Sequence, residues 1–542
     1  LNKLGKKDMV TVNGGLNLNY LNLLTNNPSS VRAPNSWYAN GNINVGFLGW
    51  SFPFSYQISN QSRTYSQPFN QYAIAPTYKW IKVQLGWTNI TLSPYSLSGY
   101  PLYGAGCEFT PNNWKIVLLY GQLKKAVPYN LNEESSDEMS YKRVGFGGKI
   151  GYNKSGYEVS GHIFKAKDIQ KSLPYIPENI NLFPQEGLVT GIGGKFPLGK
   201  KINVETEITQ SILTRNYLSE RINLNNFSGN FMKSHITTQN FKAYKSSINY
   251  NERYFSIAAH YERIDPGYMS LGAFFFNNDL ENYTLAPQIR LFKNKLNLAA
   301  NAGMQKNNLD QSKLNTTTRW VGSGSLNFVP NSNWILSAGY SNFTNFTRNR
   351  PNTNPFYTLS PADTLFFYQV SQNSNVMAAY NFTYHKTRHN ISIQFNQMNS
   401  SLNIANINQP ATQLLNGNLA YAINHTPSKQ NIALTANFNT MASTDMETIF
   451  YGPGLSYSKS MWQNTLQFSL GSIFNQSFTN GKNTGLVFSE RLSIGYQPKV
   501  KKPEYGKPVF SLSGSYVNKP SVVSQGFSLS EFTGNINIGY HF

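Results

Sequence analysis

Cysteine is almost absent: Cys107 stands alone in 542 residues, so no intramolecular disulfide can form. Charge is thin as well, at 13% of the chain, about half the usual share of a soluble domain and too little to solvate one of this size. No apolar run approaches the roughly 18 to 20 residues that a membrane-spanning helix needs, which excludes helical membrane proteins. The opening "LNKLGKKDMV" has no apolar stretch behind its basic residues, so it is not a signal peptide. A mature N-terminus is the expectation.

What is present is aromatic and polar: 34 Tyr, 35 Phe, and abundant Asn, Ser, Thr and Gly. The mixture does not shift along the chain as it does between separate domains, which points to one continuous architecture. In "NINVGFLGWSFPFSYQIS", Ile43, Val45 and Phe47 alternate with polar residues or Gly. After Leu48-Gly49 the alternation resumes with Trp50, Phe52, Phe54, Tyr56 and Ile58. Two alternating runs joined by a tight Gly turn make a β-hairpin.

The hairpin pattern recurs to the end of the chain. Tight turns fall near Gly49, Trp80, Asn112, Lys154, Gly199, Glu252, Asn294, Asn331, Thr387, Ser428 and Ser460, with a longer one near Lys501. Between them lie generally longer polar connections. Twelve short turns and thirteen longer loops require about 26 strands (24 to 28), with both chain ends on the short-turn side. The expected fold is an all-β antiparallel transmembrane barrel over 10–542, with short periplasmic turns, long extracellular loops and a short periplasmic segment at 1–9. Trp50, Trp80, Trp114, Trp334 and Trp462 lie within three residues of a short turn, as an interfacial aromatic girdle requires. A soluble sandwich alternates too, but it does not gather its aromatics at strand ends.

The last residues, "GNINIGYHF", place Ile536, Ile538, Tyr540 and Phe542 on one parity. A barrel closes by pairing its last strand with its first, here the segment carrying Leu16, Leu18 and Tyr20. An alternating final strand ending in Phe also resembles the signal by which outer-membrane barrels reach their assembly machinery. That resemblance implies the signal role for Ile536, Ile538, Tyr540 and Phe542.

The stretch from Gln67 to Val127, "QPFNQYAIAPTYKWIKVQLGWTNITLSPYSLSGYPLYGAGCEFTPNNWKIVLLYGQLKKAV", resembles a block found in large outer-membrane barrels of Bacteroidota-type bacteria. The resemblance implies a barrel of the kind that works in protein secretion, barrel assembly or glycan and nutrient uptake. It carries no catalytic residues. A TonB-dependent transporter is disfavoured because the first hairpin begins within about ten residues of Leu1, leaving no room for a plug domain.

With strands about 4.8 Å apart and tilted about 40°, 26 of them enclose a backbone diameter of roughly 50 Å. So wide a pore needs closing. The loop from Arg348 to Gln372, with Leu365, Phe366, Phe367 and Tyr368, is the candidate internal plug or external docking element; an ordered surface loop is the plainer reading. Parity puts Glu205, Glu207, His260, Glu262 and Arg290 inside, either tuning selectivity or simply lining a wet lumen. Seven histidines show no metal spacing, and there is no P-loop, dinucleotide fingerprint or nucleophile elbow. No cofactor, metal or catalytic residue is expected.

The net charge of +21 arises from lysines and arginines spread over turns and rims, densest in "KVKKPEYGK", with no nucleic-acid recognition element. Outer-membrane lipid and protein partners such as lipoproteins or other barrels are the expected contacts; nucleic acid is not. The expected function is a non-enzymatic conduit or scaffold subunit of an outer-membrane machine, its lumen closed by loops or partners. The alternatives are an autonomous porin and, third, a barrel hydrolase.

Overall fold

A computed structural model describes residues 10–26, 33–60, 70–129, 139–178, 180–222, 231–273, 278–312, 318–342, 369–404, 407–408, 412–500, 506–519 and 529–542. Twenty-six strands follow one another in an antiparallel ladder with almost no helix, and the sheet closes on itself as a β-barrel. The closing seam pairs Leu529–His541 with Val10–Thr25. Its register sets Tyr540 opposite Leu16, Ile538 opposite Leu18 and Ile536 opposite Tyr20. All the apolar partners therefore share one face. Closure leaves no strand edge, the condition for a sheet to sit in lipid.

Alternation decides which face meets lipid. On Ile202–Thr214 the outward Ile208 is exposed while the inward Thr209 and Ser211 are buried. The same parity leaves Ile536, Ile538 and Tyr540 exposed at the last strand. An apolar outer band on a closed 26-strand barrel makes this an outer-membrane protein.

Eleven of the short connections occur where the sequence places them, and the longer one near Lys501 lies partly outside the described residues. The opposite rim departs from the expectation in one sector, where Asn480–Gly481 is a two-residue turn and Ser443–Met446 is closed by hydrogen bonds of its own. Asn480 and Gly481 both have positive φ (49° and 74°), which an Asn-Gly pair adopts readily in the tight turn that matches strand twist. Long loops are thus not a property of that whole rim.

The chain divides into two compact units, one centred on Asn40–Ala286 and the other on Val321–Phe542. Their inner faces differ in kind. In the second, amide and hydroxyl side chains bond across strands: Asn418 donates to Asn437 at 2.6 Å, Asn390 to Asn381 at 2.8 Å, and Ser469 shares a 2.6 Å bond with Ser493. In the first, the inner face carries an apolar core.

Candidate functional site

The apolar core exists because some strands of the first unit are apolar on both faces. On Trp114–Lys124, Leu118 and Tyr120 face outward and are exposed, while Val117, Leu119 and Leu123 face inward and are buried. On Tyr157–Ile169, Phe164 and Ala166 do the same. An inner wall of this composition needs an apolar cover. The cover is the connection between Ile81–Thr88 and Leu102–Phe109, which folds inward rather than out into solvent.

Ile90, Leu92, Leu97 and Tyr100 of that connection pack with Leu102, Val117, Leu119, Leu123, Phe164, Leu213 and Leu271 in one cluster. Complete burial of a leucine such as Leu92 or Leu97 stabilises the docked loop by about 2 kcal/mol. Two wall glycines make room for it. A Cβ at Gly106 would stand 2.1 Å from Ile90 Cδ1, and one at Gly147 would stand 3.0 Å from Leu92 Cδ1.

Polar contacts fix the loop's position. Its tip closes on itself through Leu92 N–H to Leu97 O at 2.9 Å. Lys149 Nζ donates to Leu92 O at 3.1 Å, and the Ser93 hydroxyl donates to Glu207. The Tyr95 hydroxyl donates to Glu262 Oε1 at 2.5 Å. Burial, and then the neighbouring Glu262 carboxylate, push the Tyr95 phenol above its ordinary pKa. It therefore remains a donor throughout the physiological range.

A second connection, around Tyr268–Ala273, backs the first. The fully buried Tyr268 donates through its hydroxyl to Tyr95 O at 2.8 Å, and Ser270 donates to Ser96 O. Ser98 and Ala273 form a parallel bridge. Ser211 on the wall donates to Met269 O at 2.7 Å. Burial, and secondarily Glu207, raise the Tyr268 phenol as well. Two loops and the wall thus form one bonded assembly on the inner face of this unit.

Among the residues singled out from sequence, Glu207 and Glu262 come together as the wall anchors of the inward loop. Glu205 lies on the same inner face, 3.6 Å from Lys195. His260 is half-buried and stands opposite Ser247 in the register. Arg290 is exposed beside the Phe292–Lys295 turn of the second unit and takes no part. Leu365, Phe366, Phe367 and Tyr368 lie outside the described residues. At the short-turn rim Trp50 stacks on Tyr78 at 4.8 Å, Trp80 lies 6.3 Å from Phe109, Trp114 4.9 Å from Tyr152 and Trp334 4.7 Å from Tyr380. Trp462 is exposed in the turn after Glu447–Met461. Ile536, Ile538 and Tyr540 lie in the seam, and the Phe542 ring lies 5.8 Å from Tyr540.

The inward loop itself was missed from sequence. Its signal was present in "WKIVLLYGQLK", where the inward parity is Val117, Leu119 and Leu123 rather than polar, beside the uncharged segment "TNITLSPYSLSGY". Among the described residues no cluster of three His, Cys, Asp or Glu side chains is placed to hold a metal ion.

No family model and no curated protein matches the chain. Among solved structures it is similar to the P pilus usher (PapC) translocation pore, at 12% identity and TM-score 0.39, over 97% of this chain and 99% of that one. It is also similar to the ferric enterobactin receptor of Pseudomonas aeruginosa (8% identity, TM-score 0.41, 98% and 80% covered) and to OccAB2 of Acinetobacter baumannii (9%, 0.29, 98% and 98%). Likenesses this distant carry no argument about what the protein does.

Proposed function

We propose that this protein is a conduit subunit of a multi-protein outer-membrane machine for translocation or uptake, with its passage narrowed by its own inward-folded loops. The observation that carries the reading is the docked Ile90–Tyr100 segment, held to the inner wall by Glu207, Glu262 and Lys149 and backed by Tyr268. A wide barrel with no internal element would leak; one with an anchored, dry internal element is built to hold a restricted state. The polar, largely uncharged inner face of the second unit, lined by Asn and Ser, supports passage of hydrated cargo over that wall.

The autonomous porin reading is supported by the same loop, since an inward loop also constricts a simple pore. Two measurements separate them. Purification from the native membrane in mild detergent, with mass spectrometry of what stays bound in stoichiometric amount, is expected to return protein partners. Planar-bilayer recording of the isolated chain is expected to show small or intermittent conductance. A clean monomer with a steady, large conductance overturns the machine reading.

A further inference from the structure

The strand Lys482–Tyr496 presents Leu486, Phe488, Glu490, Leu492, Ile494 and Tyr496 on its lipid-facing parity. Leu486, Leu492 and Tyr496 are exposed there, and Phe488 pairs with Phe474 of the neighbouring strand at 4.9 Å. From Leu486 to Tyr496 a strand tilted about 40° climbs roughly 25 Å, the height of the apolar band. Glu490 therefore stands in the interior of the band. The two-residue turn at Asn480–Gly481 fixes the upper end of this hairpin, so the strand cannot slide to lift the carboxylate out.

Around Glu490 the outward neighbours are apolar on both sides: the pair Leu470 and Leu492 below it, and Phe474 and Phe488 above. Directly across stand Ser472 on one strand and Tyr516 on the other. The Ser472 hydroxyl donates to Glu490 Oε1 at 3.5 Å, the weak limit of a hydrogen bond. A carboxylate facing hydrocarbon with so little compensation is unfavourable unless something outside the chain meets it.

We infer that Glu490 marks the docking face for a different membrane-embedded protein, one whose lipid-facing surface carries a lysine or arginine at mid-depth. A second copy of this chain does not fit. Two copies in one membrane share the same depth, and among the described residues the lipid-facing cations, such as Lys165, Lys167, Arg263 and Lys459, lie toward the ends of their strands. A cation of another protein at Glu490's depth gives a desolvated pair of opposite charge, the arrangement that makes contact both strong and specific. The inference deepens the machine reading and rests on it.

The test uses the full chain in its native membrane, with the photo-crosslinking residue p-benzoylphenylalanine at position 492 and, as a control, at position 434 on the same unit. The expected result is a protein adduct from 492 that is absent from 434, with a crosslinked peptide bearing Lys or Arg. Glu490→Lys is expected to cut the adduct about tenfold, with Glu490→Gln intermediate, while each barrel keeps its heat-modifiable gel mobility. Should Glu490→Lys fail to fold, Glu490→Leu gives the same loss without a buried cation. An adduct to lipid alone, to a second copy, or of undiminished yield in Glu490→Lys and Glu490→Leu overturns the inference. Partners that co-purify with the wild type yet never crosslink at 492 defeat the inference and leave the machine reading intact; no partner at all defeats the reading first.

Discussion

The Tyr95 hydroxyl is bound to the Glu262 carboxylate 167 residues away, and through that bond a connecting loop is tied to the inner face of the barrel wall. Tyr268 closes the arrangement by donating to the backbone of Tyr95 itself. Neither tyrosine stands out in the sequence, because each lies in a loop and its partner belongs to a strand or loop far along the chain.

Replacing Tyr95 by Phe keeps the ring and its packing and removes the donor. A hydrogen bond to a charged acceptor contributes about 1.5 to 3 kcal/mol net, so the docked loop is expected to lose that much relative to its released state. Chymotrypsin cleavage at Leu92, Tyr95 and Leu97 reads the released fraction. Tyr95→Phe and Glu262→Gln are expected to accelerate cleavage, with the strands still protected. Unchanged cleavage in both would show that the apolar cluster alone holds the loop.

Alkaline pH is expected to act on the same contact. The Tyr95 phenol has a folded pKa raised above that of the unfolded chain, first by burial and then by Glu262. Its contribution is therefore fully present below the ordinary tyrosine value near 10 and is lost as pH rises above it, at roughly 1.4 kcal/mol per pH unit at most. Loop release, read by proteolysis or by pore conductance, is expected to increase between about pH 10 and 11.5 in the wild type. Tyr95→Phe, released more at neutral pH, is expected to show a shallower rise.

Gly106→Val tests the fit between wall and loop. Ile90 Cδ1 occupies the space a side chain would take. Overpacking a fitted core costs about 1 to 3 kcal/mol. Here the strain has an outlet, since the loop can leave while the ladder stays paired. Faster cleavage of the loop with unchanged heat-modifiable mobility is expected. Loss of the folded barrel instead would mean that the loop is needed for assembly.

The barrel was legible in the sequence because a period of two writes facing directly into residue order: Ile536, Ile538 and Tyr540 fall on one face and Leu16, Leu18 and Tyr20 on another, and the structure pairs the two sets across the seam. The short-turn rim was legible for the same reason. The inward loop was not, because loops carry no period and the aromatic run at Leu365–Tyr368 is the stronger local apolar signal in the sequence. What betrays the loop is the wall's inward Val117, Leu119 and Leu123. The lipid-facing carboxylate of Glu490 is visible in the sequence once parity is assigned, but its meaning depends on depth, which the Asn480–Gly481 turn supplies.

Arg143 and Asp168 pose the remaining question, whether a buried ion pair near the loop end of the wall contributes stability or placement. Arg143 donates from Nε to Asp168 Oδ1 at 2.7 Å and from one terminal nitrogen to Oδ2 at 3.0 Å, and the pair is almost wholly buried. Gln185 joins from both its backbone N–H and its side chain, and the Tyr217 hydroxyl donates to Asp168 O at 2.8 Å. Removing one partner strands the other charge, so Asp168→Ala is expected to cost about 3 to 5 kcal/mol in thermal or urea unfolding. Removing both with apolar residues, Arg143→Met with Asp168→Leu, is expected to recover most of that loss, because desolvation offsets much of what an intact buried pair gains. If placement is the role, the double variant regains stability yet exposes 170–185 and Tyr217 to proteolysis, since the carboxylate that receives the Gln185 N–H is gone. If the double variant is as stable and as protected as the wild type, the pair positions nothing that the surrounding packing does not already hold.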